Sequence, residues 1–136
     1  SDRTLWFLFL EGLGFEEAKS LEILSTLDKS EKISAEKTNE LYQEILGDKA
    51  KETALKIEKL KTIQDLEELR EFLDSEELNT TSKEKLDARL EDWTTLIGYL
   101  GGLGAKPFVQ VDLGIVRGLA YYTGFVFEAF ENEGQF

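Results

Sequence analysis

Cysteine, histidine and methionine are absent from these 136 residues, and proline occurs once, at Pro107. Without cysteine or histidine there is no zinc site of the Cys/His kind, no thiolate nucleophile and no Ser-His-Asp triad. Disulfides are impossible, so nothing marks the chain as secreted. Positive charge is also scarce. Sixteen Lys and Arg stand against 28 Asp and Glu, a formal charge of −12, which opposes general binding along a phosphate backbone. A small local basic patch stays open. The longest apolar run, residues 5–10, is far too short to span a bilayer, and no signal segment opens the chain. A reading frame starts with Met, yet Ser1 has none before it, and Phe136 falls inside an alternating apolar run. The expectation is an excised piece of a larger protein.

What is there divides near Gly104. Residues 1–104 hold 24 acids and 14 bases, and residues 105–136 only four acids and two bases with seven aromatics. The first part reads as helix throughout. Ser1 or Asp2 can cap a helix to about Glu11, ended by Gly12 and Gly14. Its Leu5-Trp6-Phe7-Leu8-Phe9-Leu10 stretch is apolar on every side and must be buried. A second helix over 16–27 shows a stripe of Leu21, Leu24 and Leu27. Ser34 caps a third with Leu41 and Ile45, stopped by Gly47; Asp48 opens a fourth with Ala50, Ala54 and Ile57. Thr62 and Asp65 approximate a capping box ahead of Leu66, Leu69, Phe72 and Leu73. Ser82 caps the longest helix, with Leu86, Leu90, Trp93, Ile97 and Leu100 on one face.

Gly98, Gly101, Gly102 and Gly104 are expected to break that helix, and Pro107 to prevent its return. Phe108 to Val111 then reads as a strand, Asp112-Leu113-Gly114 as a turn, Gly118 as a bend and 121–130 as a second strand. The fold class is therefore α+β, mostly α: a helical bundle followed by a β-hairpin. A two-stranded hairpin is not stable alone and must belong to a larger sheet. Three parts are expected: 1–29, 30–104 and 105–136.

Candidate chemistry is thin in the helices. Clusters such as Glu67-Glu68, Glu71 and Glu76-Glu77 read either as a carboxylate metal site or as a solvated face; the second reading is adopted and no metal is expected. The glycine run at 98–104 lies between a helix and a strand, the reverse of a phosphate-cradling loop, and reads as a linker. Lys49, Lys51, Lys56, Lys59 and Lys61 put five bases on one helix, either solvated or a modest nucleic-acid contact. The segment Arg117-Gly118-Leu119-Ala120-Tyr121-Tyr122-Thr123-Gly124 differs. A lone arginine at a bend in an acidic chain needs an anionic partner. It either pairs with Asp112 across the hairpin or clamps a phosphate or carboxylate. Consecutive strand residues face opposite ways, so at most one of Tyr121 and Tyr122 points at a ligand.

Arg117 through Glu128 resembles the first histidine-specific motif of histidyl-tRNA synthetase, a class II aminoacyl-tRNA synthetase. Upstream, 27–33 and Leu66-Glu67-Glu68-Leu69 are similar to the stretch before that motif, which includes a helical insertion domain. The resemblance implies that 1–29 is an edge of the catalytic core, 30–104 the insertion domain and 105–136 a hairpin of the class II antiparallel sheet. It implies that Arg117 is catalytic, contacting the α-phosphate as histidine attacks ATP, since a fixed guanidinium stabilises charge on a phosphoryl group in flight. It implies that Tyr122 hydrogen-bonds the substrate imidazole, with Tyr121 beside it in the pocket wall, and that Gly118 and Gly124 allow close approach. Ala120 stands where many members carry Asp, so it receives no polar role.

The other motifs of the family have no counterpart here, so the chain holds at most one wall of a histidine pocket and is expected to be inactive alone. The resemblance implies a cytoplasmic parent, a homodimer acting on histidine, ATP with Mg2+ and histidine tRNA, with no cofactor bound by this piece. Two alternatives stand beside it. One is the histidine-sensing regulatory subunit of ATP phosphoribosyltransferase. The other is a non-catalytic helical module touching the tRNA acceptor arm.

Overall fold

A computed structural model describes residues 1–115 and 124–129. Six helices follow in order: α1 (Arg3–Gly12), α2 (Glu17–Lys29), α3 (Ala35–Leu46), α4 (Ala50–Lys61), α5 (Leu66–Ser75) and α6 (Thr80–Gly102). Single 3-10 turns cover Gly47–Lys49 and Lys106–Phe108.

The helix starts follow from short polar side chains that meet free backbone N–H groups. Asp2 accepts from the Thr4 N–H at 3.0 Å, Ser34 from Lys37 at 3.1 Å, Asp65 from Glu68 at 2.8 Å and Asn79 from Ser82 at 2.8 Å. Two ends share one device. Gly14 (φ +100°) and Gly104 (φ +77°) take up the left-handed backbone, and the next residue's N–H reaches back five positions, from Phe15 to the Leu10 carbonyl at 3.1 Å and from Ala105 to Leu100 at 2.9 Å.

α1 is apolar nearly all round because it is the centre of the packing. It lies along α6 and touches α2; α2 packs on α3, α3 on α4, and α5 on α6. Leu5, Trp6, Phe9 and Leu10 of α1 have no exposed surface and join Ile23, Leu24, Leu27, Ile57, Leu60, Leu69, Phe72, Leu86, Leu90 and Trp93 in one apolar cluster. Phe9 meets Phe72 with ring centroids 5.7 Å apart.

The residues before α1 close the structure. Ser1 and Val126 exchange both backbone hydrogen bonds, at 2.6 and 2.7 Å, and the Arg3 N–H donates to the Gly124 carbonyl at 3.0 Å. Asp2 and Phe125 are thereby paired in antiparallel sense.

Several expectations change. The predicted hairpin between 108–111 and 121–130 is not found among the described residues: the chain at 124–126 pairs with 1–3 instead. A 3-10 turn over Lys106–Phe108 takes in Pro107, and the chain beyond it buries Val111 and Leu113 against the helices. Phe108 to Val111, expected as a strand, is therefore not one: Val111 meets a helical surface, and the stretch finds no strand partner among the described residues. The turn at Asp112-Leu113-Gly114 is present, closed by the Gly114 N–H on the Asp112 carboxylate at 2.8 Å.

On α2 the buried stripe includes Ile23 where Leu21 was expected, and Leu21 is 37% exposed. Asp65, not Thr62, is the cap of α5; the Thr62 hydroxyl instead donates back to the Lys59 carbonyl at 2.8 Å. α6 starts two residues before Ser82, because Asn79 takes the capping role and Ser82 is buried within the first turn. Gly98 does not break α6, which runs on to Gly102; three glycines cost helix propensity, roughly 1 kcal/mol each, but the packed half from Leu86 to Trp93 carries the helix through.

Candidate functional site

Of the residues singled out from sequence, Arg117, Gly118, Tyr121 and Tyr122 lie outside the described residues. Gly124 is described. Its φ of +75° requires glycine on backbone grounds alone, and a Cβ there would face the Arg89 Nη2 at 3.9 Å. Asp112, the proposed alternative partner of Arg117, has one carboxylate oxygen committed to its own turn.

What the described residues build next to Gly124 is a polar centre in an otherwise apolar interior. Antiparallel pairing of residues 1–3 with 124–126 puts Asp2 and Phe125 opposite each other in a non-hydrogen-bonded position, so both side chains leave the same face. α6 presents Arg89 and Trp93, four residues apart and hence on one side of the helix, to that face.

The fully buried Asp2 carboxylate accepts four hydrogen bonds. Oδ1 takes the Thr4 N–H at 3.0 Å and Arg89 Nη2 at 2.9 Å; Oδ2 takes Arg89 Nε at 2.6 Å and the Trp93 indole N–H at 2.8 Å. A buried charge is tolerated only when paired and hydrogen-bonded in this way. Burial works against the Arg89 charge, but the hydrogen bond and charge of Asp2, with help from Asp92 at 3.4 Å, outweigh it and raise the guanidinium pKa. The guanidinium carbon stands 4.1 Å from the centre of the Phe125 ring, which meets Trp93 edge-on at 5.1 Å.

Sequence reading did not single out Arg89, and took Asp2 only as a cap and Trp93 only as core. The available signal was slight: one of four arginines in a chain with 16 bases, spaced i, i+4 from a tryptophan.

The lysine-bearing helix gives little support to a nucleic-acid face. Lys56 bridges Glu76 at 3.2 Å and Glu52 at 3.6 Å, Lys61 reaches Glu58 at 3.4 Å, and Lys59 sits 5.3 Å over the Phe72 ring. Three of the five bases thus have local partners. No group of three or more acidic residues among the described residues is placed to hold a metal ion, and no helix among them is long and apolar enough to cross a membrane.

A family model described as histidyl-tRNA synthetase matches residues 6–135. The chain belongs to the histidyl-tRNA synthetase family. It is 45% identical to a histidine–tRNA ligase of Opitutus terrae over 99% of this chain and 30% of that protein. It is 35% identical to the mitochondrial histidine–tRNA ligase of Saccharomyces cerevisiae over 85% of this chain and 21% of that protein, and 34% identical to the Thermococcus kodakarensis ligase over 94% and 28%. The chain therefore spans less than a third of the length of these relatives. No solved structure matches it significantly.

Proposed function

We propose that the chain is the part of a histidine–tRNA ligase that supplies one wall of the histidine pocket and the helices joined to it. The observation that supports this most is the family match across residues 6–135, which takes in the whole 117–124 motif. In this reading the parent condenses histidine with ATP to histidyl-adenylate and transfers histidine to its tRNA. Arg117 meets the α-phosphate as the carboxylate of histidine attacks it, Tyr122 pairs with the imidazole, and Tyr121 completes the wall. A pocket that pairs both imidazole nitrogens rejects side chains lacking them, because its own polar groups would stay unpaired. ATP arrives as its Mg2+ complex, and no residue of this chain is assigned to the ion.

The same reading makes the parent a cytoplasmic homodimer, divides the chain at 1–29, 30–104 and 105–136, and assigns no tight ligand to the isolated piece. The ATP phosphoribosyltransferase subunit is not favoured, since the relatives compared above are all named as ligases. Arg117→Ala in the full-length protein is expected to lower histidine-dependent pyrophosphate exchange by roughly two to three orders of magnitude, the usual cost of losing one preorganised donor. Near-normal exchange would remove the catalytic assignment.

A further inference from the structure

The last turns of α6 share a composition with α1 but not its surroundings. Residues 5–10 of α1 are apolar on every side, and other helices of this chain cover them. Thr94–Ala105 likewise has no Lys, Arg, Asp or Glu, in a chain that is 32% charged. It holds Leu96, Ile97, Tyr99, Leu100 and Leu103, and its remaining positions are Thr, Gly and Ala. A helix with no charged side belongs in an interior. Yet none of those five large residues is buried: Leu96, Ile97 and Leu100 are half-buried, Tyr99 is 71% exposed and Leu103 81%. Phe108, in the 3-10 turn just beyond, is 84% exposed.

The change is abrupt along one line of the helix. Lys85, Asp92, Leu96, Tyr99 and Leu103 stand at i, i+7, i+11, i+14 and i+18, so they follow one another along a single face. Lys85 and Asp92 are charged and exposed, as a face in water should be. After Asp92 the same line is apolar. The helical spacing holds to its end, where the Leu103 N–H donates to the Tyr99 carbonyl at 3.1 Å.

We propose that this end of α6, together with Phe108, is an interior contact of the full-length ligase, covered by polypeptide of the same molecule that lies outside these 136 residues. The length of the relatives supplies the occupant. The chain matches 30% of the Opitutus terrae ligase and 28% of the Thermococcus kodakarensis ligase, so more than two thirds of such a protein is left to pack on it. Charge argues against the tRNA as occupant, because a phosphate backbone is held by Lys and Arg and this stretch has neither. Contacts that never come apart are also more apolar than those that do. The inference rests on family membership and length, and not on the histidine-pocket reading.

The test uses the full-length protein with Leu103→Cys and, as the exposed reference on the same line, Lys85→Cys. Maleimide labelling is followed by mass spectrometry of the peptide that carries the new thiol, since the 136 residues contain no other cysteine. The Leu103→Cys thiol is expected to react at least about 100-fold more slowly than the Lys85→Cys thiol, because labelling then waits on local opening. Equal rates overturn the proposal. Tyr99→Cys replaces Leu103→Cys if that variant does not fold. Benzoylphenylalanine substituted for Leu103 then identifies the cover by photo-crosslinking in the presence of tRNA. The expected product has the mass of one chain and joins position 103 to a peptide outside residues 1–136. A product of doubled mass (a second copy), a crosslink to tRNA or one confined to residues 1–136 overturns it. None of these readouts uses Arg117 or the tyrosines, so normal exchange in Arg117→Ala would remove the pocket reading and leave this inference standing.

Discussion

Asn79 ends one helix and starts another: its backbone N–H donates to the Gly12 carbonyl at 3.2 Å and its side-chain amide to Glu11 at 3.2 Å, while its side-chain oxygen accepts from Ser82 at 2.8 Å. The close crossing needs glycine on the α1 side. A Cβ on Gly12 would lie 3.1 Å from Leu78 Cδ2 and 3.2 Å from the Cβ atoms of Leu78 and Ser82.

Gly12→Ala is therefore expected to destabilise the protein by about 1 kcal/mol, overpacking outweighing the gain in helix propensity. Gly98→Ala, in the same fold but with open space around its Cβ, is expected to stabilise by about 0.5–1 kcal/mol. Urea denaturation of the pair checks both signs; a stabilising Gly12→Ala contradicts the packing argument.

Asp2→Ala leaves the Arg89 charge and the Trp93 N–H without their acceptor. A loss of about 3–5 kcal/mol is expected, the usual cost of stripping one partner from a buried pair. A double-mutant cycle with Arg89→Met should return a coupling well above that of an exposed pair, about 1 kcal/mol at most; a smaller value would mean that the two groups do not depend on each other.

Tyr42 is buried, and its hydroxyl has no hydrogen-bond partner. Burial, helped by Glu58, pushes its pKa up. A phenol that holds its proton in the fold while the unfolded chain loses it near pH 10 contributes stability that is present below pH 10 and lost above it. Lys56 behaves in the same sense from 10.5 upward: burial works against its charge, and Glu76 and Glu52 outweigh that. Tyr42→Phe is expected to leave stability at pH 8 unchanged or raised by about 1 kcal/mol and to flatten the alkaline decline. Urea midpoints at pH 8 and 11 decide; an unchanged slope excludes Tyr42 as a contributor.

Tyr122→Phe in the full-length protein is expected to weaken histidine binding by about 1–3 kcal/mol, with Tyr121→Phe costing less. Calorimetry on both variants distinguishes the tyrosines, and the reverse order exchanges their roles. The isolated 136-residue chain is expected to show no tight histidine binding in the same measurement, and micromolar affinity would contradict the single-wall reading.

The helices were legible because each carries its own punctuation. Ser34, Gly47, Gly14 and Gly104 act over three or four residues, and an apolar stripe needs only local spacing. Boundaries shifted where two capping residues competed, as at Asn79 and Ser82, or where burial was decided by a neighbour, as for Leu21 and Ile23. The strand partner of 124–126 was not legible, because a three-residue segment ahead of a helix shows no alternation. The 117–124 motif stood out through a pattern of residue types. Arg89 had no such pattern, since its importance lies in meeting a carboxylate 87 positions away.

That separation bears on the order of assembly. Residues 1–3 leave the ribosome ahead of everything that holds them: Arg89 follows 87 positions later and Val126 125 positions after Ser1. Closing a loop of ~125 residues costs ~4 kcal/mol in chain entropy, and ~3 kcal/mol once Asp2 has met Arg89 and the remaining loop is under ~40 residues. The ion pair thus shortens the search that joins the two ends. α2, α3 and α4, each packed on its neighbour in sequence, can form while Asp2 is still in water, and its carboxylate is dehydrated when α1 meets α6 and Phe125 closes over the pair.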